Sequence, residues 1–434
     1  MKSIGIDIGT TTISGVVFDS DIGSVVKAAT VSGPGFEPSG YPWEKIQSPE
    51  KILKIATDLL NSFLDEYPDT AAIGLTGQMH GIVYTNDEGK AVSPLYTWQD
   101  QRGVVKGSGN LSVVEELAAS GIPAFSGYGL ITHIYNVKNN LVPAQARKIC
   151  TIADYLGMAL AGRCCPLIHR QMAASLGLYD ASAFRFCEKA LTDAGVDLSI
   201  LPEVTGDIEV LGTYRGVPVT VALGDNQAAF YGSVGACDNT ALVNMGTGGQ
   251  ISILSHSYFT APGIEARPFL GDSYLLSGSC LCGGRAYAIF EKFIRNVLTY
   301  SGQDDKPCYE LLGALAQEGK KLSSVPDVKT TFSGTRINPD EKGQINNLTE
   351  ENFNPAALCY GLLTGMAREL FDFYKLIEGG TGIKAESLIA SGNGLRRNPV
   401  LCDVFSEMFN APLKLSEYEE EAAVGAAKSA ADKA

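Results

Sequence analysis

An α/β chain folded as two lobes is what this sequence predicts, on three observations. Strand and helix patterns alternate along the chain, a glycine and hydroxyl hairpin occurs twice, and 434 residues exceed what one hydrophobic core fills. Ile4-Gly5-Ile6-Asp7-Ile8 is a buried-strand pattern, Gly9-Thr10-Thr11-Thr12 a turn, and Ile13 to Phe18 the returning strand. The same layout returns at Thr240 to Met245, Gly246-Thr247-Gly248-Gly249 and Gln250 to Leu254. Two matching hairpins indicate a duplicated architecture, with a first lobe expected over 1–222 and a second over 223–434.

Between the hairpins, helical periodicity covers Pro49 to Glu66, a strand pattern covers Ala71 to Leu75, and further strand and helix patterns lie around Thr151 to Ala161 and Ser182 to Ala194. The second half carries helix patterns at Arg285 to Leu298, Asn354 to Glu378, Pro399 to Phe409 and Glu420 to Ala431. The polar stretch Glu318 to Asn354 is expected to be a surface excursion. In Ala422-Ala423-Val424-Gly425-Ala426-Ala427 the small residues predict close helix packing rather than a ligand contact.

A formal charge of -14 argues against nucleic acid or an anionic membrane as partner, so any phosphate must be gripped by local devices. Ten cysteines without a Cys-x-x-Cys, alongside four histidines, make a structural zinc site an unlikely design. No apolar run is long enough to span a bilayer, and Met1-Lys2-Ser3 leads straight into a strand without a signal-peptide layout, so a cytoplasmic location with reduced thiols is expected.

Four clusters can carry chemistry. The Gly9-Thr10-Thr11-Thr12 turn offers close backbone approach, N–H donors and three hydroxyls for phosphate oxygens, and Asp7 before it can hold a hydrated Mg2+. Asp225, in Leu223-Gly224-Asp225-Asn226, stands at a strand-to-helix junction, where it is either a helix N-cap or a general base facing a cleft. Gly77-Gln78-Met79-His80-Gly81 and Thr97-Trp98-Gln99-Asp100-Gln101-Arg102 gather amide, imidazole, carboxylate, guanidinium and indole groups at strand ends, a set suited to a polyol. Ser391-Gly392-Asn393-Gly394 is a glycine turn against which a nucleotide base and ribose can lie.

In this order, these motifs resemble the FGGY family of carbohydrate kinases, within the actin-like ATPase superfamily, over nearly the whole chain. The resemblance implies two ribonuclease H-like lobes with an interlobe cleft. It implies ATP at Gly9, Thr10, Thr11, Thr12, Gly246, Thr247, Gly248, Gly392, Asn393, Gly394 and Asn398. A sugar is implied at Gln78, Met79, His80, Trp98, Gln99, Asp100, Arg102 and Asp225, with Asp225 as catalytic base and Mg2+ at Asp7 through water and at Asp225. The Thr97-Trp98-Gln99-Asp100 run is more similar to members acting on seven-carbon ketoses than to those acting on xylulose. Where the family often has Lys or Arg two residues after the hydroxyl turn, this chain has Ser14. A small-molecule ketose, ATP and a second copy of the chain are the expected partners; a nucleotide-driven protein switch and a sugar sensor without catalysis are the competing classes.

Overall fold

The computed structural model describes residues 1–107 and 109–433. The chain forms two compact units. Unit 1 comprises Met1–Gly235, Arg267–Asp272 and the segment from Tyr418 onward; unit 2 comprises Ala236–Ala266 and Ser273–Glu417.

Unit 1 is built on a sheet whose first strand, Lys2–Ile8, pairs antiparallel with Thr12–Asp19 and closes with Ile8 opposite Ile13. Ser24–Ser32 extends this meander antiparallel. On the other side Thr70–Gly77 runs parallel to the first strand, and Val217–Thr220 and Leu223–Gly224 run parallel to Thr70–Gly77. Ile4, Ile6 and Ile8, alternate residues on one face of the strand, are fully buried. One covering layer is the helix Pro49–Glu66, which starts where Ser48 Oγ accepts from Lys51 N at 3.2 Å and proline occupies the first turn. Its buried Ile52, Ala56, Leu59, Leu60 and Phe63 fall on one helical face.

Unit 2 repeats the plan. Thr240–Met245 pairs antiparallel with Gly249–Ser255, closing with Met245 opposite Gly249, and Tyr274–Cys280 continues the meander. Ser387–Ser391 and then Leu413–Leu415 add parallel strands on the other side. Three antiparallel strands followed by parallel ones is therefore common to both units. The expected excursion at 318–354 includes a small hairpin, Asp327–Lys329 against Gln344–Asn346.

The division differs from the expected 222/223 boundary at three segments, 223–235, 267–272 and the stretch from Tyr418 onward, and the first and third share one physical reason. The helix Asp225–Ser233 and the C-terminal helix Glu421–Ala431 pack against each other and against the first sheet. Small residues make this possible: a Cβ on Gly425 would lie 1.8 Å from the Ala228 carbonyl oxygen, and one on Gly74 would lie 1.9 Å from that of Ala426. The close packing expected of Glu421-Ala-Ala-Val-Gly-Ala-Ala427 thus draws the end of the chain into unit 1. No helix among the described residues is long and apolar enough to cross a membrane.

Candidate functional site

In unit 1 three neighbouring parallel strands end side by side, and each delivers a polar residue at its carboxyl edge, the edge at which open α/β sheets collect ligands. Asp7 precedes the end of Lys2–Ile8, Gln78 follows Thr70–Gly77, and Asp225 follows Leu223–Gly224. Register fixes the set, since Ile8 and Gly224 both pair with Gly77.

Asp225 opens its helix without capping it: Gly224 is the N-cap residue and makes no side-chain cap bond. Oδ1 of Asp225 accepts from Asn226 N at 2.6 Å. Burial pushes its pKa up to about 6, against the opposing pull of the Asn226 backbone N–H and the Arg267 guanidinium. Arg267 Nη1 donates to Asn226 Oδ1 at 2.9 Å. Nothing in the local sequence signals Arg267 as a neighbour; the arginine arrives on the six-residue segment 267–272, which belongs to unit 1.

Asp7 is raised further, to about 7, first by burial and then by the negative charges of Asp225 and Glu420. Its Oδ1 is buried without a hydrogen-bond partner. An orphaned carboxylate oxygen beside further carboxylates fits a cation, and no cluster of three or more His, Cys, Asp or Glu among the described residues forms a metal cage. That is the donor set of Mg2+, which typically keeps its waters and takes one or two carboxylates plus phosphate. Ser14 stands in a neutral chain, with Oγ 2.9 Å from Thr30 Oγ1, which donates to Glu420 Oε1 at 2.8 Å. The family's frequent basic residue is therefore replaced by hydroxyls ending on a carboxylate.

The polyol cluster separates into a surface and a frame. Trp98 is 46% exposed, and its Nε1 donates to Thr10 Oγ1 at 3.0 Å, so the indole is held by its edge with its ring accessible. His80 has the positive φ of 74° that non-glycine residues rarely adopt. Its Nδ1 bonds the Ser175 carbonyl oxygen at 2.8 Å, which places the proton on Nδ1 and the lone pair on Nε2. The ring stacks on Tyr128 at 4.4 Å. Gln99 is half-buried. Met79 lies beneath Gly224, where a Cβ would come 2.7 Å from its Cε.

Gln78, Asp100 and Arg102, expected as sugar contacts, sit in the frame instead. Gln78 is 3% exposed and its amide is engaged by Gln47 and Thr10. Asp100 is 0% exposed; its two oxygens accept from Arg102 Nε, Nη2 and N and from Lys45 N. Arg102, 2% exposed, also donates to Asn136 and Glu44 and lies 4.1 Å over the Tyr96 ring. A buried guanidinium needs every donor satisfied, and here the carboxylate two residues earlier does most of that work. In the first hairpin the Thr10 hydroxyl is engaged by Gln78 and Trp98, while Thr11 and Thr12 are exposed.

Gln171 and Gln227 were not anticipated. Both are buried beside Gly224: Gln171 Oε1 accepts from Gly224 N at 3.1 Å, and its Nε2 is without a partner. Gln227 Nε2 donates to the Pro268 carbonyl at 3.3 Å, leaving Oε1 unpartnered.

Unit 2 holds a cavity of about 1050 Å3 lined by Gly246, Thr247, Gly392, Asn393, Gly394 and Asn398, six of the seven nucleotide positions expected there. The backbone explains the shape. Gly392 has φ 83°, and a Cβ on it would lie 2.6 Å from the Met245 carbonyl oxygen, so the two turns touch only through glycine. Asn398 caps the helix Pro399–Phe409 by accepting from Leu401 N at 3.1 Å. Gly248, the seventh, is not among the lining residues; it packs against Gly283 and Cys280. Sequence reasoning missed Arg285, Tyr287, Tyr309 and Gln317 on the cavity wall. The Tyr287 and Tyr309 rings are 5.9 Å apart, a wall suited to a flat base.

Comparison with known proteins identifies the family and the fold. Residues 3–232 match the N-terminal domain of the FGGY family of carbohydrate kinases, and residues 241–433 match its C-terminal domain. The sedoheptulokinase of Homo sapiens is 26% identical over 98% of this chain and 96% of its own length. Among solved structures, a xylulose kinase from Rhodospirillum rubrum has a TM-score of 0.84 at 20% identity, covering 100% of this chain and 90% of that one. A Plasmodium falciparum glycerol kinase with ADP has a TM-score of 0.82 at 19% identity, covering 100% and 89%.

Proposed function

From a chain that belongs to the FGGY family of carbohydrate kinases, and so is an ATP-dependent sugar kinase, we propose a ketokinase whose acceptor is the seven-carbon ketose sedoheptulose. The observation that carries the choice of sugar is the similarity to a sedoheptulokinase along essentially the full length of both chains. The exposed indole of Trp98 supports a carbohydrate C–H face, and the His80 tautomer supports acceptance of a sugar hydroxyl.

In this reading ATP occupies the glycine-lined cavity of unit 2, and Asp225 receives the proton of the attacking hydroxyl. The new O–P bond forms as the bond between the γ-phosphorus and the bridging oxygen of ADP breaks. A base of pKa about 6 is largely ionised at neutral pH, yet basic enough to take a proton late in a loose transition state. Asp7 would hold Mg2+, which when bound supplies charge neutralisation on the phosphates. Gln171 and Gln227, each with a buried polar atom unpaired, are oriented around the Asp225 junction and would help hold the sugar. All ten cysteines are free, which supports a reducing, cytoplasmic setting.

The test is ADP release over a panel of sedoheptulose, xylulose, ribulose, fructose and glycerol, ranked by kcat/KM. Sedoheptulose should lead. Xylulose leading by about tenfold, the scale of one pocket contact, would reassign the substrate within the family.

A further inference from the structure

One closed circuit of hydrogen bonds in unit 1 has no part in holding a ligand and yet joins two ligand-facing groups. Trp98 Nε1 donates to Thr10 Oγ1 at 3.0 Å. Thr10 Oγ1 donates to Gln78 Oε1 at 3.4 Å, and Gln78 Nε2 donates to Gln47 Oε1 at 3.1 Å. Gln47 Nε2 closes the circuit on the Thr10 carbonyl oxygen at 2.9 Å, with a second bond to the Gly35 carbonyl at 3.3 Å.

The direction of every bond follows from one atom. An indole N–H only donates, so the Thr10 hydroxyl must accept from Trp98 and pass its own proton towards Gln78. That fixes Gln78 with Oε1 towards Thr10 and Nε2 towards Gln47, which in turn fixes Gln47 with its donor towards the Thr10 carbonyl. Gln47 is 0% exposed and Gln78 3%, so neither amide has water to fall back on. The frame behind them is stiff: Ile46–Gln47 pairs with Leu95–Tyr96, Gln78 N donates to the Ile8 carbonyl at 2.8 Å, and Gly127 packs against the Trp98 carbonyl.

We infer that Gln47 and Gln78 are positioning residues which, through this ring, hold the Gly9–Thr12 phosphate turn in fixed geometry with the sugar-facing indole of Trp98. The inference rests on the proposed function, in which that turn meets ATP phosphates and that indole meets the ketose. A sugar that packs on the indole fixes its tilt, and the turn's backbone N–H groups are fixed with it. Alignment for phosphoryl transfer is then conditional on sugar, which disfavours water as acceptor.

The experiment compares Gln47→Met, Trp98→Phe and the double variant. Gln47→Met keeps side-chain length and removes both ring bonds; Trp98→Phe keeps an aromatic face and removes the N–H. Each single variant should lower kcat about tenfold, with ketose KM within about twofold. The double variant should fall little below the worse single one, because either change opens the same ring. A second readout needs no substrate: the chain has two tryptophans, and the indole N–H resonance that disappears in Trp98→Phe should shift in Gln47→Met, although Gln47 does not touch the indole. Effects that multiply in the double variant, a KM effect without a kcat effect, or an unmoved resonance would each overturn the inference. A wild-type chain inactive on every ketose would sink the functional reading instead, and the resonance alone would then decide the ring.

Discussion

The two hairpins have nearly the same backbone and different chemistry. Asp7 stands two residues before Gly9, and Asn244 stands two residues before Gly246. In unit 1 that position is a carboxylate with an orphaned oxygen and a pKa raised to about 7 by burial and neighbouring negative charge. In unit 2 it is a neutral amide whose Nδ2 donates to Ser391 Oγ at 3.1 Å. The turns diverge in the same sense. Gly9–Thr12 is knitted by side chains to Gln47, Gln78 and Trp98, whereas Gly246–Gly248 is bare backbone that opens, at Gly246 and Thr247, on a large cavity. A duplicated supersecondary unit thus supplies donor geometry twice, and one side-chain difference decides which copy gathers charge.

The strongest way to break that division is Asp225→Asn. It keeps shape and removes the proposed base, so turnover should fall by about 100-fold or more while ketose affinity, measured calorimetrically, changes little. Near wild-type turnover would take proton transfer away from the carboxylate edge of unit 1. The pH profile sharpens the same point. Burial raises this acid, and a base acts only when deprotonated, so kcat/KM should fall as pH drops through about 6. The residual rate of Asp225→Asn should lack that limb.

Asp7→Asn makes the first hairpin resemble the second. Without the orphaned carboxylate, the Mg2+ concentration for half-maximal rate should rise by about 10- to 100-fold, with ketose KM unchanged. Unaltered Mg2+ dependence would move the metal elsewhere.

How much of this was legible in the sequence depends on how far each cause reaches along the chain. The hairpins, the Pro49–Glu66 helix and the helix at Pro399–Phe409 are local: apolar alternation, a glycine turn, and Ser48-Pro49 or Asn398-Pro399 at a helix start suffice. The glycine-lined cavity of unit 2 was largely legible because glycine turns announce close backbone approach. The fate of Asp100 and Arg102 was not, since their burial is set by Glu44, Tyr96 and Asn136, which no short motif connects to them. No motif singles out Gln47, Tyr287 or Tyr309, for the same reason. The C-terminal helix was legible as closely packed but not as part of unit 1, because small residues disclose a close contact without its partner.

A gentler change runs the comparison in the other direction. Asn244→Asp gives the second hairpin the charge of the first, next to a turn that in the proposed reading meets ATP phosphates. It removes the amide donor to Ser391 Oγ, a bond of about 1 kcal/mol net, and adds a negative charge that repels the nucleotide. Because unit 2 has backbone donors and no cluster of three or more acidic or His/Cys ligands to recruit a second ion among the described residues, the charge should not create new chemistry. ATP KM should rise about threefold, less at high salt because screening weakens exposed charge repulsion, with kcat at saturating ATP held within about twofold. A tenfold loss of kcat instead would mean that the second hairpin also takes part in the transfer step, and that the two copies share the chemistry that the proposed reading gives to one.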